Sequence, residues 1–321
     1  MKHAIRTAAA FALASLCFSA SAGAEIVTFQ IPHAYVTYAA GLNDKGEVTG
    51  FYDAGHGGFD GFIWRPGGKV VSFDVPGAEE TEPTAISATG VVTGSYFVGR
   101  VPMGFVRAAD GTITTFRAPD GRATGGAAVN RKGWIVGYYL DNRDAPLQPF
   151  FRDPSGAITE FTVPGATSAN AVAINRSRRI AGMSDIGAFV RAKNGAITVF
   201  GNRYTTVAGM NDAGTVAGVG YSDGGGGYLR TRDGTTTTFS FPAGATGAYV
   251  LGINNSATVV GYFDDSSKVR HGFIRTVDGT FTPFDPAGST RTEILAINSN
   301  GAIMGNYTDQ NGVSYLFEGT P

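Results

Sequence analysis

Short apolar runs separated by glycine-bearing turns fill the chain from residue 25 onward, and one arrangement of them recurs. A small residue, an apolar residue and Asn lead into a tight turn, which opens a second apolar run ending in Gly. The copies read Leu42-Asn43-x-x-Gly46 to Gly50, Ile86-Ser87-x-x-Gly90 to Gly94 and Val129-Asn130-x-x-Gly133 to Gly137. They continue as Ile174-Asn175 to Gly182, Met210-Asn211-x-x-Gly214 to Gly218, Ile253-Asn254 to Gly261 and Ile297-Asn298-x-x-Gly301 to Gly305. From each Asn (or Ser87) to the next, the steps are 44, 43, 45, 36, 43 and 44 residues. A period of about 40–45 residues is that of the blades of a β-propeller.

Each repeat predicts four short strands. The first, A, ends in the apolar-Asn pair and has Gly or Ala two residues before the Asn: Gly41, Ala85, Ala128, Ala173, Gly209, Gly252 and Ala296. Side chains this small let seven inner strands crowd around an axis. Asn-x-x-Gly fits a type I turn with Gly in the left-handed position. Arg178 and Ala257 replace that Gly in two copies, where a strained or reshaped turn is expected. Strand B reads like Ile135-Val136-Gly137-Tyr138. Strand C reads like Gly104-Phe105-Val106-Arg107, with Trp64 and Phe317 assigned to the Arg position in the first and last copies. Hairpin dipeptides such as Asp110-Gly111 and Asn194-Gly195 lead into D, where apolar and polar residues alternate and a Pro commonly ends the ladder.

The last copy stops at its C strand, Tyr315-Leu316-Phe317, while a lone D-like run, Ile26 to Ile31, precedes the first. Pairing residues 25–31 with residues 314–317 gives seven of each strand and leaves no free sheet edge between first and last blade. The expected fold class is all-β, a seven-bladed β-propeller of four-stranded blades closed by its N-terminal strand, occupying residues 25–321.

The repeat resembles the HAF-type repeats of exported bacterial proteins. In those, an Ile-Asn-x-x-Gly-x-Val-Val-Gly stretch precedes a His-Ala-Phe or His-Gly-Phe strand. Gly252-Ile253-Asn254 through His271-Gly272-Phe273-Ile274-Arg275, followed by Phe284-Asp285-Pro286, matches best, and His271 is the one family His kept among the seven copies. The resemblance covers residues 25–321 and implies export and a β-repeat fold, without an activity to carry over.

Residues 1–24 read as a secretory signal peptide: Lys2 and Arg6, the apolar run Ala8 to Ala20, then Ala22-Gly23-Ala24. That run is too short to span a membrane as a helix, so a periplasmic or extracellular location is expected. Cys17, the single cysteine, lies inside it. Removing this segment leaves 23 basic against 26 acidic residues, a net charge of about −3 with no electrostatic case for nucleic acid or an anionic membrane.

Chemistry-bearing motifs are sparse. Arg recurs in strand C (Arg107, Arg152, Arg191, Arg230, Arg275). Its recurrence in successive blades favours packing on aromatic neighbours or pairing with turn carboxylates over a cationic ligand site. His33, His56 and His271 have no zinc spacing, and Asn43 to Gly46 and Asn211 to Gly214 lack the alternating acids of a calcium loop. The run Gly224 to Gly227 has no helix behind it to cradle a phosphate. No metal or cofactor is expected.

Position is more telling. D-to-A and B-to-C connections share one face of such a ring, and there the loops vary. Five residues before each repeat Asn, at the channel mouth, stand Tyr38, Glu82, Gly125, Asn170, Thr206, Tyr249 and Glu293. Blades 6, 7, 1 and 2 are adjacent in a closed ring and contribute Tyr249, Glu293, Tyr38 and Glu82, with His271 and His56 in loops of the same arc. Two tyrosines with two carboxylates suit the stacking and hydroxyl recognition of a sugar. The competing reading is that these are ordinary solvated loop residues. The expected function is a monomeric, exported binding module for a carbohydrate or a surface protein. The alternative is a polysaccharide hydrolase or lyase, with Glu82 and Glu293 as acid and base if they lie roughly 5–10 Å apart, or with His56 and His271 in those roles. A structural protein without a small ligand is the third possibility.

Overall fold

A computed structural model describes residues 25–119, 121–141, 145–220 and 225–321; the expected signal peptide, residues 1–24, and Gly224 lie outside the described residues. Among these, 28 strands and no helix occur, and the strands pair into seven four-stranded sheets. Blade 1 runs A (Val36–Leu42), B (Val48–Asp53), C (Phe59–Arg65) and D (Lys69–Phe73), all antiparallel, and the next five sheets repeat that order. Blade 7 takes A (Ser289–Ile297), B (Ile303–Asp309) and C (Ser314–Thr320) from the end of the chain and D (Glu25–Phe29) from its first described residues. The protein is thus a seven-bladed β-propeller closed by its N-terminal strand.

The closing register differs from the sequence expectation by two residues. Glu25 faces Thr320 and Phe29 faces Leu316, so the partner is Leu316–Thr320 and not residues 314–317. Gly305 faces Phe317 as Gly261 faces Phe273, which makes Phe317 the buried aromatic of the C-strand motif. Gly319, opposite Ile303, holds the Arg slot previously given to Phe317. Tyr315 imitates the motif aromatic, and Leu316 fills a slot that is Gly in most copies, which is why the pattern misleads.

Three devices hold the ring. The first is apolar burial between blades: Phe29, Met304 and Leu316 of blade 7 pack with Val48, Tyr52, Phe62 and Trp64 of blade 1. The second explains the recurring Arg. Each guanidinium lies over a Phe at or just past the end of the D strand of the preceding blade: Arg107 over Phe73 at 4.9 Å, Arg152 over Phe116 at 5.3 Å, Arg191 over Phe161 at 5.0 Å, Arg230 over Phe200 at 4.7 Å and Arg275 over Phe239 at 4.3 Å. Trp64 does the same job in blade 1, stacking on Phe29 at 4.2 Å. A cation over an aromatic face stabilises by about 0.5–2 kcal/mol. These arginines therefore join blades.

The third device is the repeat Asn. Asn43 Oδ1 accepts the backbone N–H groups of Lys45 and Glu47, closing its own turn. Nδ2 reaches sideways to the carbonyl of the equivalent residue in the next blade, from Asn43 to Ser87 (3.1 Å), Asn130 to Asn175 (3.0 Å), Asn175 to Asn211 (3.2 Å) and Asn211 to Asn254 (3.2 Å). Asn298 donates to the Asn43 carbonyl at 3.0 Å, across the closure.

The B-strand Gly has a steric cause. In six blades the A–B register slips between the residues four and two before the Asn, for example between Ala39 and Gly41. Just ahead of this bulge, the carbonyl oxygen of the residue five before the Asn lies against the B strand. A Cβ on Gly50, Gly94, Gly137, Gly182, Gly218, Gly261 or Gly305 would sit only 1.9–2.2 Å from that oxygen. Arg178 and Ala257, at φ 63° and 58°, keep the left-handed turn that Gly makes elsewhere, so the strain expected there is present.

Candidate functional site

The bulge thus fixes the backbone of six of the seven mouth positions, and in those blades the pleat gives each a neighbour across the A–B pair. Tyr38 faces Phe51, Glu82 faces Ser95, Tyr249 faces Tyr262 and Glu293 faces Asn306. Tyr249 and Tyr262 lie 5.1 Å apart, and Arg270 caps Tyr262 with its guanidinium 3.9 Å from the ring centre. The same guanidinium donates to Asp264 at 2.8 Å and to Glu293 of blade 7, which Arg291 also reaches at 2.8 Å. Tyr249 and Glu293 are therefore tied into one network across blades 6 and 7.

On the other side of Glu293, Tyr38 joins Phe51 (5.0 Å) and Phe59 (5.9 Å) in an aromatic patch. Tyr38 and Tyr249 remain 48% and 43% exposed, so each ring keeps a face for a ligand. Glu82, in blade 2, is half-buried and has no hydrogen-bond or ion-pair partner among the described residues. Next to it, Ser95 hydrogen-bonds Tyr138, which shares the slot left open by the absent side chain of Gly125.

The two carboxyls are driven in opposite directions. Burial, helped by Glu80, raises the pKa of Glu82. Burial also works to raise Glu293, but hydrogen bonds from Arg291 and Arg270 outweigh it and hold that carboxyl below its ordinary value. The Tyr138 hydroxyl is pushed up by burial and by the nearby Glu82 charge.

The structure places the two histidines differently from the other four predicted residues. His56, in the blade 1 B–C loop, bonds Asp60 at 3.2 Å and is half exposed. His271 Nδ1 lies 2.7 Å from Asp285, its Nε2 3.7 Å from Asp265, and its ring rests on Phe263. Successive strand residues point to opposite faces, so Arg270 turns toward blade 7 while His271 turns to the blade 5 side. Each histidine is held by a carboxylate of its own blade region and not by a mouth residue.

Tyr262, Tyr138, Ser95 and Arg291 complete the mouth without having been singled out from sequence. The first three stand directly after the B-strand Gly, and antiparallel pairing places that position opposite the residue five before the Asn. The signal was in the repeat.

Neither a family model nor a curated protein sequence matches this chain. Solved structures do. A catalytically inactive histidine-to-alanine variant of virginiamycin B lyase from Staphylococcus aureus, with quinupristin, superposes with a TM-score of 0.66 at 14% identity, covering 93% of this chain and 99% of that one. The Cps50 β-propeller domain of Myceliophteria thermophila gives 0.60 at 9% identity over 93% and 100%. An acylaminoacyl peptidase of Pyrococcus horikoshii gives 0.56 at 10% identity, over 88% of this chain and 50% of that one. Identities this low show a shared fold, on which binding sites and active sites differ widely.

Proposed function

We propose that this protein is an exported binding module that takes a carbohydrate at the mouth of the propeller, over blades 6, 7, 1 and 2. One observation carries the reading: the exposed rings of Tyr249 and Tyr38 flank Glu293 in ring order, and Arg270 and Arg291 hold that carboxylate fixed. Apolar faces of a sugar ring stack on tyrosine, while a fixed carboxylate and guanidinium orient its hydroxyls. The test is retention of residues 25–321 on a glycan array. Tyr38→Ala and Tyr249→Ala are each expected to weaken retention by about tenfold or more, equivalent to at least 1.4 kcal/mol. If the array retains nothing, or the tyrosine variants bind like wild type, the reading falls.

A second reading, a polysaccharide hydrolase or lyase, is favoured by a separate observation. The protein raises the pKa of Glu82 and lowers that of Glu293, the kind of separation that distinguishes an acid from a base. On this reading Glu82→Gln abolishes turnover of a retained polymer and leaves its retention intact. Retention without any turnover in wild type would leave the binding module alone.

A further inference from the structure

The A–B and C–D turns share the face opposite the mouth, and the seams between blades there can be compared position by position. At the seam of blades 1 and 2, a Cβ on Gly90 would lie 3.7 Å from Glu47 Oε2 and 3.6 Å from Ala109 Cβ. At the seam of blades 4 and 5, a Cβ on Gly214 would lie 3.2 Å from Arg179 Nε and 3.5 Å from Arg232 Cβ. Glu47 and Arg179 each stand four residues after the repeat Asn, so the two seams correspond, with the charge of one wall reversed.

The reversal leaves a cluster of cations without a counter-charge. Glu47 ion-pairs with Arg65 at 2.9 Å. Arg179 stands instead near Arg230 and Arg232, and burial together with those two charges lowers its pKa. Its Nε is buried without a partner, so the donors it has left are the terminal guanidinium nitrogens. Among the described residues none of these three arginines ion-pairs with a carboxylate. The two carboxylates in the turns of blade 5 are engaged elsewhere. Asp212 accepts the backbone N–H of Arg176 and pairs with its side chain, while Asp233 accepts from Thr231 and Thr235 of its own turn. The next seam shows another way to settle such charges. Between blades 3 and 4, Arg178 lies over Trp134 at 4.6 Å and Arg191 over Phe151 at 5.0 Å. Arg179 has neither a carboxylate nor a ring among the described residues.

The surroundings reinforce this excess. The turns of blades 3–5 on this face (130–134, 152–157, 175–179, 191–196, 211–215 and 230–235) carry ten Arg or Lys against three Asp, although residues 25–321 are net acidic. Loop residues 120, 142–144 and 221–224, outside the described residues, belong to connections of the opposite face, and residues 1–24 contain no Asp or Glu.

We infer that the seam between blades 4 and 5 is a binding site for a tetrahedral oxyanion, a phosphate or sulfate group, held by Arg179, Arg230 and Arg232. Guanidinium groups donate paired N–H bonds to such oxygens, and a phosphate brings more charge and more acceptors to three cations than a carboxylate does. The site lies across the ring from the mouth and does not depend on what the mouth binds.

The test is the melting temperature of residues 25–321 in chloride, acetate, sulfate and inorganic phosphate at one ionic strength. Phosphate and sulfate are expected to raise it with concentration, as ligands of the folded state must, while acetate and chloride leave it in place. Arg232→Gln, at an exposed side chain, should weaken the phosphate response about tenfold or more. Arg100→Gln removes the same charge from an exposed loop of the opposite face and should respond like wild type. Arg179→Glu gives the seam a carboxylate as Glu47 does, so it should melt higher than wild type without oxyanion and lose the response to phosphate. If that variant fails to fold, Arg232→Gln decides alone. Vesicles of phosphatidylglycerol, against phosphatidylcholine, separate the sources of the group. Retention that excess phosphate displaces assigns the site to a lipid headgroup, and a phosphate response without retention assigns it to a soluble phosphate. No rise with phosphate or sulfate, an equal rise with acetate, or a full response in Arg232→Gln would each overturn the oxyanion site.

Discussion

At the scale of single residues, the two mouth carboxylates make opposite statements about stability. Glu82 has a raised pKa, so its contribution favours the fold below the ordinary glutamate range and is lost as pH rises through the raised value. Glu82→Gln should therefore melt higher than wild type near pH 7, with the gain vanishing below about pH 4. Glu293 is lowered, so its contribution is present above the ordinary range and is lost as pH falls through the lowered value. Glu293→Gln should melt lower than wild type at neutral pH, the difference shrinking in acid. Melting curves from acid to neutral pH read both, and two variants moving in the same direction would contradict the geometry. A separate local strain sits at Ala257, whose φ of 58° is a conformation that suits Gly. Ala257→Gly relieves about 1–2 kcal/mol of steric cost and returns part of it as backbone entropy. The expected net gain is about 0.5–1 kcal/mol, seen as a rise of about 2 °C in melting temperature. Arg178 is the less suitable site for that experiment, because its guanidinium also covers the Trp134 ring at 4.6 Å.

At the scale of strands, the A–B bulge determines what substitutions the repeat can bear. Gly137 lies on extended backbone, and a propensity argument would allow Ala there. The Gly125 carbonyl would stand 2.0 Å from the new Cβ, a distance no rotamer can relieve because both atoms are backbone-fixed. Gly137→Ala should cost about 3 kcal/mol, at the upper end for overpacking, as measured by denaturant unfolding. Gly220→Ala, two residues after the equivalent Gly218 in its own B strand, is expected to be nearly neutral, because among the described residues its Cβ meets nothing closer than 3.9 Å. This same element shows how far sequence carries. The Asn, the Gly and the spacing between them were legible as turn and strand marks, and they led to seven blades. The steric reason for the Gly was not, because it arises from a bulge in the neighbouring strand. Blade 7 was misread by two residues since Tyr315 and Phe317 are both plausible motif aromatics, and only pairing with Gly305 separates them. Four of the six predicted site residues came to the mouth because they share one position of the repeat. His56 and His271 were grouped with them by loop membership, which does not say which way a side chain turns.

For the whole molecule, the decisive contact is the seam at which the ring closes. Six blades are each formed from contiguous chain, whereas blade 7 joins strands from the two ends of the described chain. If Glu25–Phe29 is removed, the strand Ser314–Thr320 becomes an exposed edge, and Trp64 loses the ring stacked on it at 4.2 Å. An unpaired edge is a template for another chain. Deleting residues 25–29 should therefore lower the melting temperature and produce concentration-dependent dimers or aggregates in sedimentation. A synthetic peptide of residues 25–31 added in trans should restore the sedimentation of the intact protein, because a strand that binds only the folded ring stabilises it by mass action. Phe29→Ala isolates the packing part of the seam at about 3–5 kcal/mol, with the backbone ladder left in place and sedimentation unchanged from wild type. If the deletion instead melts within about 2 °C of wild type and sediments like it, the six contiguous blades hold the ring without the seam. The inter-blade devices, guanidinium on Phe and Asn to carbonyl, would then suffice by themselves.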